Sequence, residues 1–441
     1  MPPANRRLSG MLGFSVVMLG QIASMLATQM STFALTIWVF ERTGSATALG
    51  LVTVFFITPY LIITPMAGAM VDRYSRKLMM MVSDLAAGVA TTGILVLHAS
   101  GNLEVWHLYA AAILQGMGNA FQWPAFSATI SIMVPREQYG RANGMMSVVQ
   151  MGPGVIAPMM AGALLPWLGL TGILLVDVAT FLSAIALLML VHIPQPLQSE
   201  EGARARGRLL QEAVFGFRYI FARPSLLGLQ LVFLFGNLGG GIAYTAIAPM
   251  VLLRTGNDSV SLGAVLSAGA VGGVLGGVLL SAWGGFKRRV HGVLGGWIAG
   301  SLLLSLVGVG TGLPLWVAAI GFSYLVGSLV DGSNQAIWQS KVAPDVQGRV
   351  FSARLMIAWL TNPVSPIIAG LLGDYVFEPA MRAPGGLAAL FGGLVAPGPG
   401  AGMALLIVLG GCTGIAAGVA GYLSRHTRHA ETILPDHQQP A

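Results

Sequence analysis

Charged side chains are scarce in this sequence. Asp, Glu, Lys and Arg make up only 9% of the 441 residues, whereas hydrophobic residues make up 55% and the mean hydropathy is +0.76. A soluble globular protein needs about a quarter of its residues charged to cover its surface. This composition excludes the soluble class and indicates a protein embedded in a membrane.

Cysteine is almost absent as well, and familiar catalytic motifs are missing. The single Cys412 lies in the last apolar segment, so an intramolecular disulfide or a thiolate metal site is impossible. There is no G-x-x-x-x-G-K-[ST] phosphate-binding loop. The His, Asp and Glu residues show neither metal-ligand nor catalytic-triad spacing. We therefore expect no enzymatic activity, no metal and no cofactor.

Long apolar runs are abundant. Runs of about 18 or more apolar residues, long enough to cross a hydrocarbon core, recur about twelve times between Leu12 and Tyr422. All Lys and Arg residues except Arg42, Arg254 and Arg382 fall on alternate connections or at the termini. Because such connections stay on the cytoplasmic side, the net charge of +7 is a topology signal rather than a nucleic-acid site. Both termini are predicted to be cytoplasmic.

The second half of the chain repeats a pattern of the first. In both halves a small residue, a proline and an Ala-Gly pair follow a Gly-Arg turn, which indicates two parallel repeats of six spanning helices. The predicted domains are an N-terminal bundle (1–193), a linker with a short amphipathic helix (194–224), a C-terminal bundle (225–424) and a tail (425–441). The matching positions are Gly140-Arg141 with Gly348-Arg349, Pro158 with Pro366, and Ala161-Gly162 with Ala369-Gly370.

A charged hairpin separates the second and third apolar segments. Gly68 permits close approach of another helix, Asp72 can accept hydrogen bonds from a helix start, and the cations can bind helix carbonyls or a carboxylate. From the residues alone, the hairpin is either a gate or a plain positive-inside anchor. Its charged members are Asp72, Arg73, Arg76 and Lys77.

Polar residues form a stripe on the fourth segment. Gln115, Asn119, Gln122 and Phe126 lie at i, i+4, i+7 and i+11, on one face of a helix. Such a stripe either hydrogen-bonds a substrate or joins neighbouring helices. Other polar or aromatic residues interrupt the first, seventh and tenth segments: Gln21, Gln29, Asn237, Tyr244, Tyr324, Asp331 and Trp338.

Three sequence signatures resemble one transporter family. The hairpin, with spacing G-x-x-x-D-R-x-x-R-K, resembles the loop signature of the major facilitator superfamily. Ala157-Pro158-Met-Met-Ala161-Gly162 resembles the G-P-x-x-G-G signature of its antiporters, with Ala157 and Ala161 replacing two glycines. Residues 33–50 and 283–289 are similar to the branch of drug:proton antiporters that contains macrolide efflux proteins and the enterobactin exporter. The resemblance implies an all-α membrane protein with twelve transmembrane helices in two parallel six-helix bundles.

The resemblance also implies alternating access driven by a proton gradient, with segments one, four, seven and ten lining a central cavity. The hairpin from Gly68 to Lys77 and Arg141 would gate this cavity. The candidate substrate contacts are then Gln21, Gln29, Gln115, Asn119, Gln122, Phe126, Asn237, Tyr244, Tyr324 and Trp338.

Three aspartates inside apolar segments are candidates for proton coupling. Asp331 is the preferred one, because of its expected burial and its place on a cavity helix. Asp177 is expected on a peripheral helix, where a structural role with Ser, Thr or backbone partners is favoured. Asp84 is expected near the cytoplasmic loop, as a partner of Arg141 or Arg73.

Three functions remain open on the sequence. The first is a proton-coupled exporter of amphipathic small molecules such as drugs, macrolides or siderophores. The second is a lipid or lysophospholipid carrier of the same fold, and the third a non-transporting sensor. Each would work as a monomer in a bacterial cytoplasmic (inner) membrane, with a small molecule and the lipid bilayer as partners.

Overall fold

The computed structural model describes residues 10–73, 75–134, 139–193, 216–342, 347–383 and 385–434. Within these residues the chain is α-helical and contains no β-strand. The fold class expected from the apolar runs is confirmed. The long helices in the first half are α1 (Gly10–Thr43), α2 (Ala46–Arg73), α3 (Arg76–Ala99), α4 (Val105–Met133) and α5 (Tyr139–Leu190).

The second half begins with four long helices and continues with shorter ones. The long helices are α6 (Pro224–Thr255), α7 (Ser259–Trp283), α8 (Arg289–Val309) and α9 (Leu313–Lys341). Two shorter helices and a π-helical turn follow: α10 (Gln347–Trp359), α11 (Thr361–Leu372) and Gly373–Phe377. The remainder is α12 (Glu378–Arg382), α13 (Gly386–Val395), α14 (Ala401–Leu423), α15 (Arg425–Arg428) and α16 (Ala430–Ile433).

The number of membrane crossings follows from helix length and from one reversal. Ten helical stretches in the described residues are long and apolar enough to cross a membrane. In addition, α4 has 29 residues and no Asp, Glu, Lys or Arg. α5 is interrupted at Gly169, with φ 62° and ψ 178°. Since Val149 and Leu188 belong to the same hydrophobic cluster, the chain reverses at Gly169 and α5 crosses twice. The described helices therefore supply the twelve predicted crossings.

The chain divides into two compact units. Unit 1 comprises Met1–Leu197 and Asp258–Ser267, and unit 2 comprises Gln198–Asn257 and Ala268–Ala441. In unit 1, α1 packs along α5, and α4 packs against α2 and α3. In unit 2, α6 packs against α11 and α14, and α8 packs against α9 and α14. The predicted domain limits at residues 193 and 225 stay a prediction.

A lysine at the start of α3 ties two helices of unit 1 together. Ser75 caps α3, its side chain accepting a hydrogen bond from the amide of Leu78. The Lys77 ammonium donates to the carbonyls of Met189 and Val191 at 3.0 and 2.8 Å. These carbonyls lie at and just beyond the end of α5, where helix carbonyls lack intrahelical partners and favour a cation. This lysine of the charged hairpin therefore joins α3 to the end of α5.

Candidate functional site

An open cavity of about 530 Å³ lies within unit 2. Three helices build it: each contributes at least one polar side chain, and the apolar side chains come from α6 and α10. Such a mixture of a few polar groups and an apolar wall is typical of small-molecule sites. The lining consists of Gln230, Phe233 and Asn237 from α6, Asp331, Gly332 and Gln335 from α9, and Arg354, Leu355, Ala358 and Trp359 from α10.

Arg354 is held in place on one side of this cavity. Its Nη1 donates to Gln335 Oε1 at 2.9 Å, and its guanidinium carbon lies 5.3 Å from the ring centroid of Trp338. Its backbone carbonyl accepts a hydrogen bond from Gln230 Nε2 at 3.0 Å, which links α10 to α6. A guanidinium fixed by an amide and an aromatic ring keeps its charge at a defined point.

Asp331 presents a carboxylate to the same cavity. Its side chain is accessible from the cavity, while the protein around it removes much of its contact with bulk water. Arg354 is the cation that acts on it electrostatically, but no residue in the described portion of the chain makes a hydrogen bond or a salt bridge to it. The carboxylate is therefore open to water or a ligand. With Phe233 and Trp359 nearby, the cavity can accept a molecule that combines a cationic or hydrogen-bond-donating group with an apolar body.

Asp84 lies in a closed polar network in unit 1. Gln21 Nε2 donates to Asp84 Oδ2 at 2.8 Å, and Gln122 Nε2 donates to Asp84 Oδ1 at 3.1 Å. Gln122 also donates to Gln21 Oε1 at 2.7 Å and accepts from the Ser83 hydroxyl. Gln21 and Asp84 are only 2% and 5% exposed. Residues of α1, α3 and α4 thus satisfy one another away from solvent.

This network changes the interpretation of three predicted residues. Asp84 was expected to pair with Arg141 or Arg73, whose side chains lie outside the described residues. In the structure both carboxylate oxygens accept hydrogen bonds from amides. Gln21 and Gln122 were expected to face a substrate, but they join three helices of one bundle.

Asp177 has a second closed set of partners in unit 1. Thr28 Oγ1 donates to its Oδ1 at 2.9 Å, and Thr91 Oγ1 donates to its Oδ2 at 3.1 Å. Asp177 is 2% exposed. These hydroxyl groups on α1 and α3 are the kind of partner that a structural aspartate in a membrane needs.

The remaining cavity candidates occupy different surroundings. In unit 1, Gln29 and Asn119 are exposed, Gln115 is half-buried, and Phe126 belongs to the hydrophobic core. In unit 2, the rings of Tyr244 and Tyr324 lie 6.2 Å apart and outside the lining of the cavity. Trp338 is 1% exposed, and its Nε1 donates to Asn334 Oδ1 at 3.0 Å, so it packs in a core. Of the unit 2 candidates, the cavity brings together Asn237 and Asp331.

Several cavity residues were not singled out in the sequence. Arg354 is the clearest example, because the charge distribution counted it among the cations of a cytoplasmic connection, whereas the structure places it inside α10, where a cation is costly unless it has a function or a partner. Gln230 and Asn237 lie seven residues apart on α6, and Asp331 and Gln335 four apart on α9. Both spacings put the two side chains on one helix face. These spacings were the sequence features that could have identified the polar residues of the cavity.

The predicted gating residues are only partly described. Gly68, Asp72 and Arg73 lie in the last turns of α2 and Arg141 lies near the start of α5, but their side-chain surroundings are outside the described set. Arg76 is the half-buried first residue of α3. Lys77 makes the contacts with the end of α5 given above.

The antiporter-like residues form a close helix contact within unit 1. Ala157 and Ala161 are fully buried. A Cβ atom on Gly162 would lie 2.7 Å from the Ser259 carbonyl oxygen, and one on Gly263 would lie 2.5 Å from the Pro158 carbonyl oxygen. Ser259 Oγ also donates to the Gly162 carbonyl at 3.0 Å. Small residues are therefore required where α5 meets the first turns of α7.

Metal binding finds no support among the described residues, which contain no cluster of three His, Cys, Asp or Glu side chains able to hold an ion. The site contains a carboxylate, a guanidinium, amides and aromatic rings. Such groups can bind and release a molecule, and the comparisons with known proteins agree with that use.

The Major Facilitator Superfamily model matches residues 17–366. The chain is 25% identical over 373 residues to "Macrolide efflux protein A" of Streptococcus pyogenes, covering 83% of this chain and 90% of that protein. It is 26% identical over 352 residues to "Multidrug efflux pump Tap" of Mycolicibacterium fortuitum, covering 76% and 83%. The fold resembles a bacterial homolog of the human lysosomal transporter Spinster, with a TM-score of 0.70, 18% identity and coverage of 98% and 100%.

The family match spans most of the chain, and the solved relative has the same helical fold. The sequence resemblance is thus confirmed, and the protein acts on small molecules as a transporter rather than as an enzyme. This multi-pass membrane protein belongs to the Major Facilitator Superfamily.

Proposed function

We propose that the protein is a proton-coupled exporter of amphipathic small molecules of the drug, macrolide or siderophore type, working by alternating access. The observation that carries this proposal is the Asp331 carboxylate, which is exposed in an open cavity and has no hydrogen-bond partner among the described residues. Efflux functions in the names of the relatives support the direction of transport.

The residues of the cavity would have separate roles in substrate binding. Asp331 would attract a cationic or hydrogen-bond-donating group, and Phe233 and Trp359 would contact the apolar portion of the substrate. Arg354 would keep a positive charge close to the carboxylate without forming a salt bridge to it, since Gln335 holds its Nη1. A proton arriving at Asp331 removes the negative charge and so weakens the attraction for a cation. Proton binding and substrate binding would then compete at one carboxylate, as coupled antiport requires.

The proposal extends to the regions of the chain around the cavity. We propose an inner-membrane protein with cytoplasmic termini, based on the distribution of Lys and Arg. We also propose that it functions as a monomer, takes its energy from the proton gradient without a cofactor, and is divided at the predicted domain limits. The hairpin around Asp72 would close the cytoplasmic side. In that case Asp72→Asn slows transport without weakening equilibrium binding, and unchanged turnover would contradict the gating role.

The coupling role of Asp331 is tested by transport in proteoliposomes. A macrolide or another drug, chosen from a susceptibility panel of overproducing cells, is offered across an imposed pH gradient. We expect Asp331→Asn to abolish accumulation against the gradient and substrate-driven proton release. Glu104→Gln, which neutralises an exposed carboxylate on the connection between α3 and α4, should leave both unchanged. If Asp331→Asn accumulates substrate as well as the unaltered protein, the assignment is wrong.

A further inference from the structure

A short apolar helix lies in the connection between α11 and α14. Helix α13 has the sequence GLAALFGGLV and contains no charged or hydrogen-bonding side chain. Its exposed positions recur with the helical period at Gly386, Ala389, Leu390, Gly393 and Leu394. Leu390 is 76% exposed and Leu394 is 42% exposed. A helix that faces water normally presents polar side chains on its exposed side, and α13 presents none.

Polar contacts hold the C-terminal end of α13 and the segment that follows it. The Arg254 guanidinium donates to the carbonyls of Val395 and Ala396 at the C-terminal end of α13, and to Gly310 at the end of α8 at 2.9 Å. Farther along, the two carboxylate oxygens of Glu378 accept hydrogen bonds from the amides of Gly400 and Gly402 at 2.8 and 2.9 Å. These contacts tie the C-terminal end of α13 to α6 and α8, and they tie the segment after it to α12.

The exposed face of α13 adjoins the lipid-facing surface of unit 2. α13 contacts α8, α12 and α14. Two of these, α8 and α14, are membrane-spanning helices that expose leucines, among them Leu306 and Leu409 at 37% and 38%. Tyr375, which is 74% exposed in the π-helical turn before α12, is the residue type that concentrates at membrane interfaces. The apolar surface thus continues from the spanning helices onto α13.

We propose that α13 is an interfacial helix whose Leu390 face is inserted among phospholipids. The leaflet is the outer one in the topology proposed above. Ten residues make a helix of only about 15 Å, too short to cross a hydrocarbon core of about 30 Å, so α13 lies along the membrane surface. A second protein copy fits less well, because a stable interface needs about 800 Å² on each partner and one face of α13 offers far less.

The proposal is tested by the membrane depth of spin labels on the full-length protein in phosphatidylcholine bilayers. In the unaltered protein, a label on Cys412, which is exposed in the spanning helix α14, gives a reference inside the membrane. In a Cys412→Ser background, Leu390→Cys carries the test label and Asn102→Cys, on the connection between α3 and α4, carries the aqueous control. Leu394→Cys provides a second label on the same face.

We expect labels at residues 390 and 394 to lie about 5–10 Å inside the headgroup boundary, as interfacial helices do. Their collision rate with oxygen relative to a water-soluble nickel complex should then exceed the ratio at residue 102 by about tenfold, and nitroxide-labelled lipids should broaden their spectra. If both labels are as accessible to nickel as the control, the proposal fails. Strong dipolar coupling between labels on separate chains would assign the face to a second copy and overturn it as well.

Discussion

The two units differ in the exposure and the hydrogen-bond partners of the aspartates inside their spanning helices. In unit 1, Asp84 and Asp177 are 5% and 2% exposed, and each accepts hydrogen bonds from two neutral side chains. In unit 2, Asp331 is exposed in a cavity and none of the described residues donates to it. The comparison indicates that the donors around an acid, more than its place in an apolar segment, decide whether it stabilises helix packing or remains open to a ligand.

The energetic reason is the cost of an unpaired polar group in an apolar interior. A buried donor that loses its acceptor costs about 1–3 kcal/mol. Removing the acid from a closed network therefore leaves its donors unpaired, whereas removing the acid from an open cavity leaves behind groups that water can reach. Four experiments test this difference between the units.

The largest difference is expected between Asp84→Ala and Asp331→Ala. Asp84→Ala leaves amide groups of Gln21 and Gln122 without their acceptor, so we expect a loss of about 2–6 kcal/mol in the free energy of unfolding. Asp331→Ala should change it by less than about 0.5 kcal/mol. Unfolding of the purified protein by denaturing detergent measures both. Equal destabilisation by the two variants would contradict the distinction between the units.

A pair of threonines on α1 tests the surroundings of Asp177. Thr28 Oγ1 donates to the carboxylate at 2.9 Å, whereas Thr32 Oγ1 donates to the Thr28 carbonyl of its own helix at 2.9 Å. Because a hydrogen bond to a charged group contributes about 1.5–3 kcal/mol, Thr28→Val should destabilise the protein by that amount. Thr32→Val, with the same change of shape, should cost less than about 0.5 kcal/mol. The same unfolding assay compares them, and equal losses would show that Asp177 does not need the Thr28 hydroxyl.

In unit 2 the expected effect is on binding rather than on stability. Gln335→Ala removes the acceptor of Arg354 Nη1, which frees the guanidinium to pair with Asp331 and compete with a cationic ligand. We expect the affinity for a lipophilic cation such as tetraphenylphosphonium to fall about tenfold, or about 1.4 kcal/mol. Equilibrium binding in detergent measures it, with Asn102→Ala, on the exposed connection between α3 and α4, as control. Unchanged affinity for Gln335→Ala would argue against a positioning role for Gln335.

The smallest effect is expected at a fourth aspartate, Asp258, just before α7. The Ser261 hydroxyl and the amides of Val260 and Ser261 donate to its carboxylate, and these hydrogen bonds, that of the Ser261 hydroxyl first, hold the pKa of Asp258 below its ordinary value. With a lowered pKa in the folded state, the stabilisation is complete above the unfolded value of about 3.9 and is lost as the pH falls through the folded value.

We therefore expect Asp258→Ala to cost about 1 kcal/mol at pH 7, as loss of a helix cap does, and less below pH ~4. Asp258→Asn should retain most of the stability at pH 7, because asparagine is also a good cap. Unfolding measured at pH 3, 5 and 7 checks both variants. A cost of Asp258→Ala that is independent of pH would contradict the role of the ionised carboxylate.

Much of the fold could be predicted because the membrane restricts it. Apolar run length fixed the number of crossings, since only helices satisfy their own backbone in lipid. The small residues of the antiporter-like signature could be read from the sequence, and in the structure Gly162 makes a close helix contact with Ser259 and Gly263. The length of the apolar runs did not predict the position at which the chain reverses within α5, because no polar loop separates the two crossings.

The candidate site was less accessible from the sequence. Helical spacing identifies which side chains share a face, but it does not say what covers that face. Trp338 lies seven residues after Asp331, on the same side of α9, yet Trp338 is in a core and Asp331 faces the cavity. The hydrogen bonds among Gln21, Asp84 and Gln122 depend on how α1, α3 and α4 are rotated about their axes. These rotations cannot be predicted from a single sequence.

The reversal at Gly169 has a practical consequence for mapping which side of the membrane each connection faces. One residue in the left-handed region joins two crossings, with the ring of Trp167, 87% exposed, two positions away. A reporter enzyme or epitope inserted there would have to separate a pair of packed helices. Any L-residue replacing the glycine would adopt a backbone conformation that is essentially restricted to glycine and costs about 1–3 kcal/mol. Fusions in the connection between α3 and α4 at residues 100–104 are better placed to report sidedness without disturbing the bundle.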